Sequence, residues 1–376
     1  MLGASVADTD SLSLSTAKDK LTNLVNLTTQ ICETPAPTFE EAARAGLITD
    51  LWHSAGLKPT TDKVGNVLAE LPGGAGPKVL VAAHLDTVFP AATDVEVKRS
   101  ENRLAAPGIG DNSASLAVLT YYLKRALQDN LGRPRITAVA TVGEEGLGDL
   151  CGVRELLKTK RDADAFIAID GHLGTVVDKA VGSKRFEVRF RAKGGHSWGD
   201  YPSPSAVHAL ASAVHALIKL DVPKLPRSSL NVGQIGGGTS VNAIAQEAFF
   251  NLDLRSLDPE VLGGLERDAL TQIRRVARSQ SVQIEVKRVG DRPVGRSDNA
   301  HLVNAAKGAL RALDVIPRTA PSSTDANMAM AAGIPAITFG VYKGGDAHRL
   351  SEWLEPASLA TGYDAFAKLM EILAEA

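Results

Sequence analysis

Four stretches of the sequence, "KVLVAAHLD", "ITAVATV", "AFIAID" and "AITFGVY", are apolar along nearly their whole length. A strand that is apolar on both faces needs cover on both faces, and a mainly parallel sheet flanked by helices provides it. The intervening segments have the helical periodicity to supply that cover: "SASLAVLTYYLKRAL", "GVRELLKTK", "NAHLVNAAKGALRAL", "TDANMAMAAG" and the closing "ASLATGYDAFAKLMEILAEA". "NVLAEL" reads as one more strand. Upstream, "LTNLVNLTTQICETPAPTFEEAARAGLITDLWHSAG" reads as two amphipathic helices broken at "TPAPTFEE". There Thr38-x-x-Glu41 has the spacing of a capping box.

The pattern changes near residue 180. "KRFEVRFRAKG" alternates polar and apolar residues with period two, as a half-exposed strand does. It is followed by the helix "PSAVHALASAVHALIKL", the strands "SSLNVGQI" and "EAFFNLDLRS", the helix "DPEVLGGLERDALTQIRRVARSQ" and the strand "VQIEVKRV". The order β-α-β-β-α-β is the ferredoxin-like arrangement. The sequence thus predicts an α/β domain over residues 1–180 and 293–376, with a small α+β domain inserted over 181–292.

The formal net charge of −2 gives no electrostatic case for nucleic acid or an anionic membrane. Two cysteines, Cys32 and Cys151, cannot build a disulfide framework or a thiolate metal site, and read as small buried thiols of a reducing compartment. "MLGASVADTDSLSLSTAKDK" lacks the basic and apolar regions of a secretory signal, and no apolar run has the length of a membrane span. The expectation is a soluble, cytoplasmic protein.

In sheets of this kind, sites form at the carboxyl ends of strands. "KVLVAAHLD" ends in His84 and Asp86, "ITAVATVGEE" in Glu144 and Glu145, and "AFIAID" in Asp170. "AITFGVYKGGDAHRLSE" leads to His348, and the turn "APGIGDNSAS" places Asp111 just before a helix. Each of these alone would pass as a solvated turn. Together they put two histidines and at least four carboxylates on one edge of one sheet. So many carboxylates in one cleft would repel one another and protonate, unless cations neutralise them. Nitrogen and oxygen donors without thiolates suit Zn²⁺, Mn²⁺ or Co²⁺, with Zn²⁺ the default. A pair of metals about 3.5–4 Å apart needs one bridging carboxylate, with a histidine and a carboxylate at each end. Asp111 is the natural bridge, His84 and His348 the imidazoles, and Glu145 and Asp170 the terminal carboxylates. Glu144 is then adjacent but unliganded, placed to take a proton from water. Strand alternation would send the two glutamates different ways. Asp86, two residues beyond His84, should accept a hydrogen bond from the imidazole.

The motifs "HLDTV", "GIGDN", "GEEGLGD", "IAIDG", "GGHS" and "GDAHRLSEW" resemble, in order, those of the M20 (M20/M25/M40) family of dinuclear metallopeptidases, over nearly the whole chain. That family includes di- and tripeptidases, carboxypeptidases, aminoacylases and amino-acid deacylases. The resemblance implies a phosphorylase/hydrolase-like α/β fold with the inserted domain. It implies two divalent metal ions per chain on His84, Asp111, Glu145, Asp170 and His348. It further implies Glu144 as general base, Asp86 as a carboxylate behind a ligand, and a cis peptide after Asp111. Two positions depart from the usual pattern. "DNSASLA" replaces the commoner Lys or Ala then Gly after the bridging aspartate. Asp170 stands where many deacylases and carboxypeptidases have Glu, which is similar to the tripeptidase and dipeptidase branch.

For the insertion, the resemblance assigns His196 in "AKGGHSWGDY" to the partner subunit's site, polarising the scissile carbonyl. It makes Asn242 in "GGGTSVNAIAQ" and Arg255 in "NLDLRS" substrate-binding positions, and a guanidinium suits a carboxylate. It also implies a homodimer through the inserted domain. His208 and His215 read as flanking a buried helical stripe, and His172 as a turn residue near the site. The expected activity is hydrolysis of an amide in a small peptide, of the di-/tripeptidase or aminopeptidase type. The alternative is a deacylase or carboxypeptidase acting on N-acyl amino acids. A non-catalytic binding protein on the same fold would lack a ligand or the base, and every such position is filled.

Overall fold

The apolar runs become the centre of one sheet in the computed structural model, which describes residues 6–129 and 131–375. Residues 1–5, part of the stretch read above for a targeting signal, lie outside the described residues. Arg135–Thr141, Lys78–His84, Ala165–Ile169 and Ala336–Phe339 lie side by side and parallel. Val67–Leu71 adds antiparallel to Arg135–Thr141, and Thr175–Ala180 antiparallel to Ala336–Phe339. Thr60–Thr61 and Arg318–Ser322 complete the eight-stranded order at its two edges. The sheet is therefore mixed, with a parallel centre. "TVVDKA" and "RTAPS" escaped the sequence reading because charge or proline interrupts any apolar run in them.

The helix Val6–Cys32 packs against Ser115–Gln128 and Pro356–Ala374, and Cys151–Thr159 packs against Ala326–Ala331. One contiguous core joins helices and sheet, with Trp52, Tyr122, Phe339 and Phe366 fully buried. Burying each such side chain contributes about 1.5–3 kcal/mol. Tyr122 meets Phe366 edge-on, ring centroids 5.0 Å apart. Among the described residues no helix is long and apolar enough to cross a membrane.

The expected capping box is not formed. The helix Ala42–Ser54 begins after Glu41, with no side-chain cap. The Thr38 hydroxyl instead donates to Asp86 Oδ2 at 2.9 Å, and Glu41 Oε1 accepts the N–H groups of Phe39 and Gly143, both at 3.0 Å. The side chains that would have closed a local motif hold the loop to the strand ends.

The chain divides into two compact units: residues up to Lys179 with those from Arg296 onward, and Ala180–Gly295. The second unit has an antiparallel sheet in the order Ser228–Gly237, Glu247–Ser256, Gly182–Arg191, Gln283–Arg292. Its helices are Ala206–Leu217 and Pro259–Ser279. This is the ferredoxin-like order. Period-two alternation buries Phe186, Val188, Phe190, Phe250, Leu252 and Leu254 against the helices. Asp258 caps the longer helix by accepting the N–H groups of Glu260 and Val261. His208 and His215 are exposed beside the buried stripe of the shorter one.

Candidate metal centre

Because Lys78–His84, Arg135–Thr141 and Ala165–Ile169 run parallel, their carboxyl ends share one edge. His84 closes the first strand, the turn 142–145 follows the second, and Asp170 follows the third. Asp111 arrives from the segment preceding Ser115–Gln128, and its peptide bond to Asn112 is cis, as the resemblance implied. Asn112 Nδ2 donates to the Ile169 carbonyl at 3.0 Å, tying this segment to the strand end that carries Asp170. Gly108 has φ +76°, a left-handed conformation that costs glycine nothing. At Gly110 an added Cβ would lie 2.5 Å from the Tyr342 ring. His348 lies in the loop beyond Ala336–Phe339 with φ +65°.

These five residues meet. Asp111 Oδ1 is 3.1 Å from His84 Nε2, and Asp111 Oδ2 is 3.0 Å from His348 Nε2. His348 Nε2 is also 2.9 Å from Glu145 Oε1. The donor atoms of His84, Asp111 and Asp170 lie within 4.8 Å of one another, as do those of Asp111, Glu145 and His348. Asp111 is common to both sets.

The electrostatics reflect that crowding. Burial opposes the charge of Asp111, but the hydrogen bond from His348 and the neighbouring His84 imidazole hold its carboxyl well below the usual range. Hydrogen bonds to Asp111 and Glu145 raise His348 to about 11. Burial disfavours the charged form of His84, yet Asp111 and Asp86 outweigh it and push that group up as well. Burial, then the Asp111 charge, pushes Asp170 up to about 7.

The adjacent pair Glu144 and Glu145 does not follow strand alternation. Glu144 and Glu145 are both buried, and the donor atoms of both lie within 4.8 Å of each other and of His84. The strand ends at Thr141 and the chain turns through Gly143 at φ +61°, so period two no longer governs. Asp86 also differs. The His84 Nδ1 bond goes to the main-chain oxygen of Asp86 at 3.0 Å, with Oδ1 3.5 Å away. The Asp86 carboxylate also accepts the N–H groups of Glu144 and Glu145, each at 2.9 Å, and the Thr38 hydroxyl. It fixes the backbone that carries both glutamates.

The residues fit a pair of divalent ions. The donor set is imidazole and carboxylate, and each three-residue set contains one imidazole and two carboxylates. Asp111 Oδ1 is buried and accepts no hydrogen bond among the described residues, although His84 Nε2 lies close by. A buried, unsatisfied carboxylate oxygen is costly without a cation.

Sequence reasoning missed Glu352, whose buried carboxylate accepts three main-chain N–H groups from 108–111. It also missed the links that Thr38 and Glu41 make to the strand ends. Glu352 sits in the quoted motif "GDAHRLSEW", four residues after His348, and that spacing was its one signal. His172 packs its ring on Tyr342 at 5.2 Å, outside both sets.

His196, Asn242 and Arg255 lie in the inserted unit. His196 and Asn242 are neighbours: Gly195–His196 pairs with Ala243–Ile244, and the Ser197 N–H donates to the Asn242 carbonyl at 3.0 Å. The exposed ring of His196 accepts the N–H groups of Trp198 and Gly199 at Nδ1, both at 3.2 Å. A neutral ring so bound carries its proton on Nε2. Arg255 Nε donates to Asp253 Oδ2 at 2.6 Å.

Imidazoles and carboxylates gathered this way are the donor chemistry of metal-dependent amide hydrolases. The chain belongs to one family of them, peptidase family M20/M25/M40, whose model matches residues 80–372. It is 24% identical over 291 residues to the uncharacterized protein YqjE of Bacillus subtilis, covering 74% of this chain and 76% of that one. It is 24% identical over 249 residues to a succinyl-diaminopimelate desuccinylase of Corynebacterium glutamicum, covering 63% and 67%. The crystal structure of a tripeptidase of Staphylococcus aureus superposes with a TM-score of 0.80 at 22% identity, covering 95% of this chain and 99% of that one.

Proposed function

We propose that the protein hydrolyses an amide bond of a small peptide with a free amino terminus, as a di- or tripeptidase. The observation that carries this reading is Asp111, one carboxylate with an oxygen toward each of two imidazoles. His84, Asp111 and Asp170 would hold one ion, and Asp111, Glu145 and His348 the other, with Zn²⁺ the default metal. Bound there, the ions supply positive charge that acidifies water and polarises a carbonyl.

The chain's own groups do the rest. Glu144, buried beside His84 and Glu145, accepts the proton of the attacking water and delivers it to the leaving amine. Asp86 keeps the 144–145 backbone in place during that transfer. His196 donates from Nε2 to the carbonyl oxygen as negative charge develops. It does so for the partner subunit's centre, in a homodimer formed through the inserted domain over 181–292. Asn242 and Arg255 hold the substrate terminus. The unpaired thiols Cys32 and Cys151 suit a cytoplasmic setting.

The second reading is a deacylase or carboxypeptidase for N-acyl amino acids, favoured by the likeness to the desuccinylase. Metal analysis joined to a substrate panel decides. Two ions per chain and turnover of di- and tripeptides are expected, with N-acetyl and N-succinyl amino acids slow. The reverse preference would establish the second reading.

A further inference from the structure

We propose that Glu352 is the positioning residue of the metal centre, holding Asp111 so that it faces both imidazoles. The inference rests on the dimetal reading above. Glu352 is 1% exposed, and its Oε2 accepts the Gly108 N–H at 2.9 Å. Its Oε1 accepts those of Gly110 and Asp111, each at 2.8 Å. Its main chain takes part too: the carbonyl accepts the Ala106 N–H at 3.0 Å, and the N–H donates to the Arg349 carbonyl at 3.1 Å. One residue therefore clamps the segment carrying Asp111 to the loop carrying His348. Among the described residues no cationic side chain pairs with it.

A neutral side chain of the same shape would not serve. Three N–H donors converge on the carboxylate, and Gln would aim its own amide donor at one of them. The segment has little room to adjust, because Gly110 lies against the Tyr342 ring on its other side. A displaced segment would move Asp111 relative to both His84 and His348, and ligand geometry tolerates only about 0.5 Å.

The test uses the full chain, stripped of metal and titrated with Zn²⁺ by calorimetry, alongside circular dichroism and kinetics. Glu352→Gln should stay folded yet bind at least one of the two ions about 10–100-fold more weakly. Its kcat should fall while KM stays near that of the unmodified protein. Glu352→Asp, which keeps the charge on a shorter arm, should recover part of the affinity. Two ions bound by Glu352→Gln at unchanged affinity would overturn the role. Failure of both variants to fold would also overturn it, since the residue would then be purely structural. If the unmodified chain itself takes up no ions, the dimetal reading fails first, and this inference with it.

Discussion

Asp111 and His348 are 237 residues apart in sequence, yet Asp111 Oδ2 lies 3.0 Å from His348 Nε2. Nothing local holds them together. The contact exists because parallel strands end on one edge and the following loops fold back over it.

That contact makes metal binding a proton-releasing event. In protein stripped by a chelator, Asp111 and Glu145 hold the His348 proton up to about 11, so the ring is charged at neutral pH. His84 is likewise raised, and Asp170 is near half-protonated at about 7. Ligation requires all three deprotonated, so loading at pH 7 should release about two protons or more per chain. Raising the pH below the His348 value should then strengthen binding, because fewer protons have to leave. Calorimetry in buffers of different ionisation enthalpy reads the number directly, and a value of zero would contradict this site.

Glu144→Gln separates base from ligand. Turnover should fall by about 10²–10⁴-fold or more, while metal content stays at two ions per chain. Loss of an ion in this variant would make Glu144 a ligand instead. Its proximity to His84 and Glu145 makes that measurement necessary.

His196→Ala tests the inserted unit. Removing an oxyanion donor should lower kcat by about 10²–10³-fold, with little change in metal content. An effect confined to KM would count against the role. If His196 serves the partner subunit's centre, mixing inactive His196→Ala with inactive Glu144→Gln protein should restore activity in the mixed dimer. Absence of any recovery after subunit exchange would remove the partner from the mechanism.

Thr38→Val removes the hydroxyl that donates to Asp86 at near-constant volume. A hydrogen bond to a charged group contributes about 1.5–3 kcal/mol. The variant should lose about 1.5–3 kcal/mol of unfolding free energy in a denaturant titration and lose activity, and Thr38→Ser should restore most of both. Unchanged stability in Thr38→Val would show that Asp86 is held well enough by the Glu144 and Glu145 N–H groups alone.

Much of this protein follows from sequence alone. Strands buried on both faces must be apolar throughout, so Lys78–His84, Arg135–Thr141, Ala165–Ile169 and Ala336–Phe339 stand out, and their ends point to His84, Glu144, Glu145, Asp170 and the loop with His348. The insertion is equally visible, because half-exposed antiparallel strands alternate. The tertiary structure decided what period and spacing do not reach. Beyond Thr141 the backbone leaves strand geometry, so Glu144 and Glu145 turn to the same side. Thr38, spaced for a cap three residues from Glu41, bonds Asp86 because folding brings the two together across 48 residues. Glu352 finds its three N–H donors more than 240 residues away. Local pattern specifies which side chains a strand buries. Which charged group meets which N–H depends on where separate loops converge, and that is settled only when the sheet has formed.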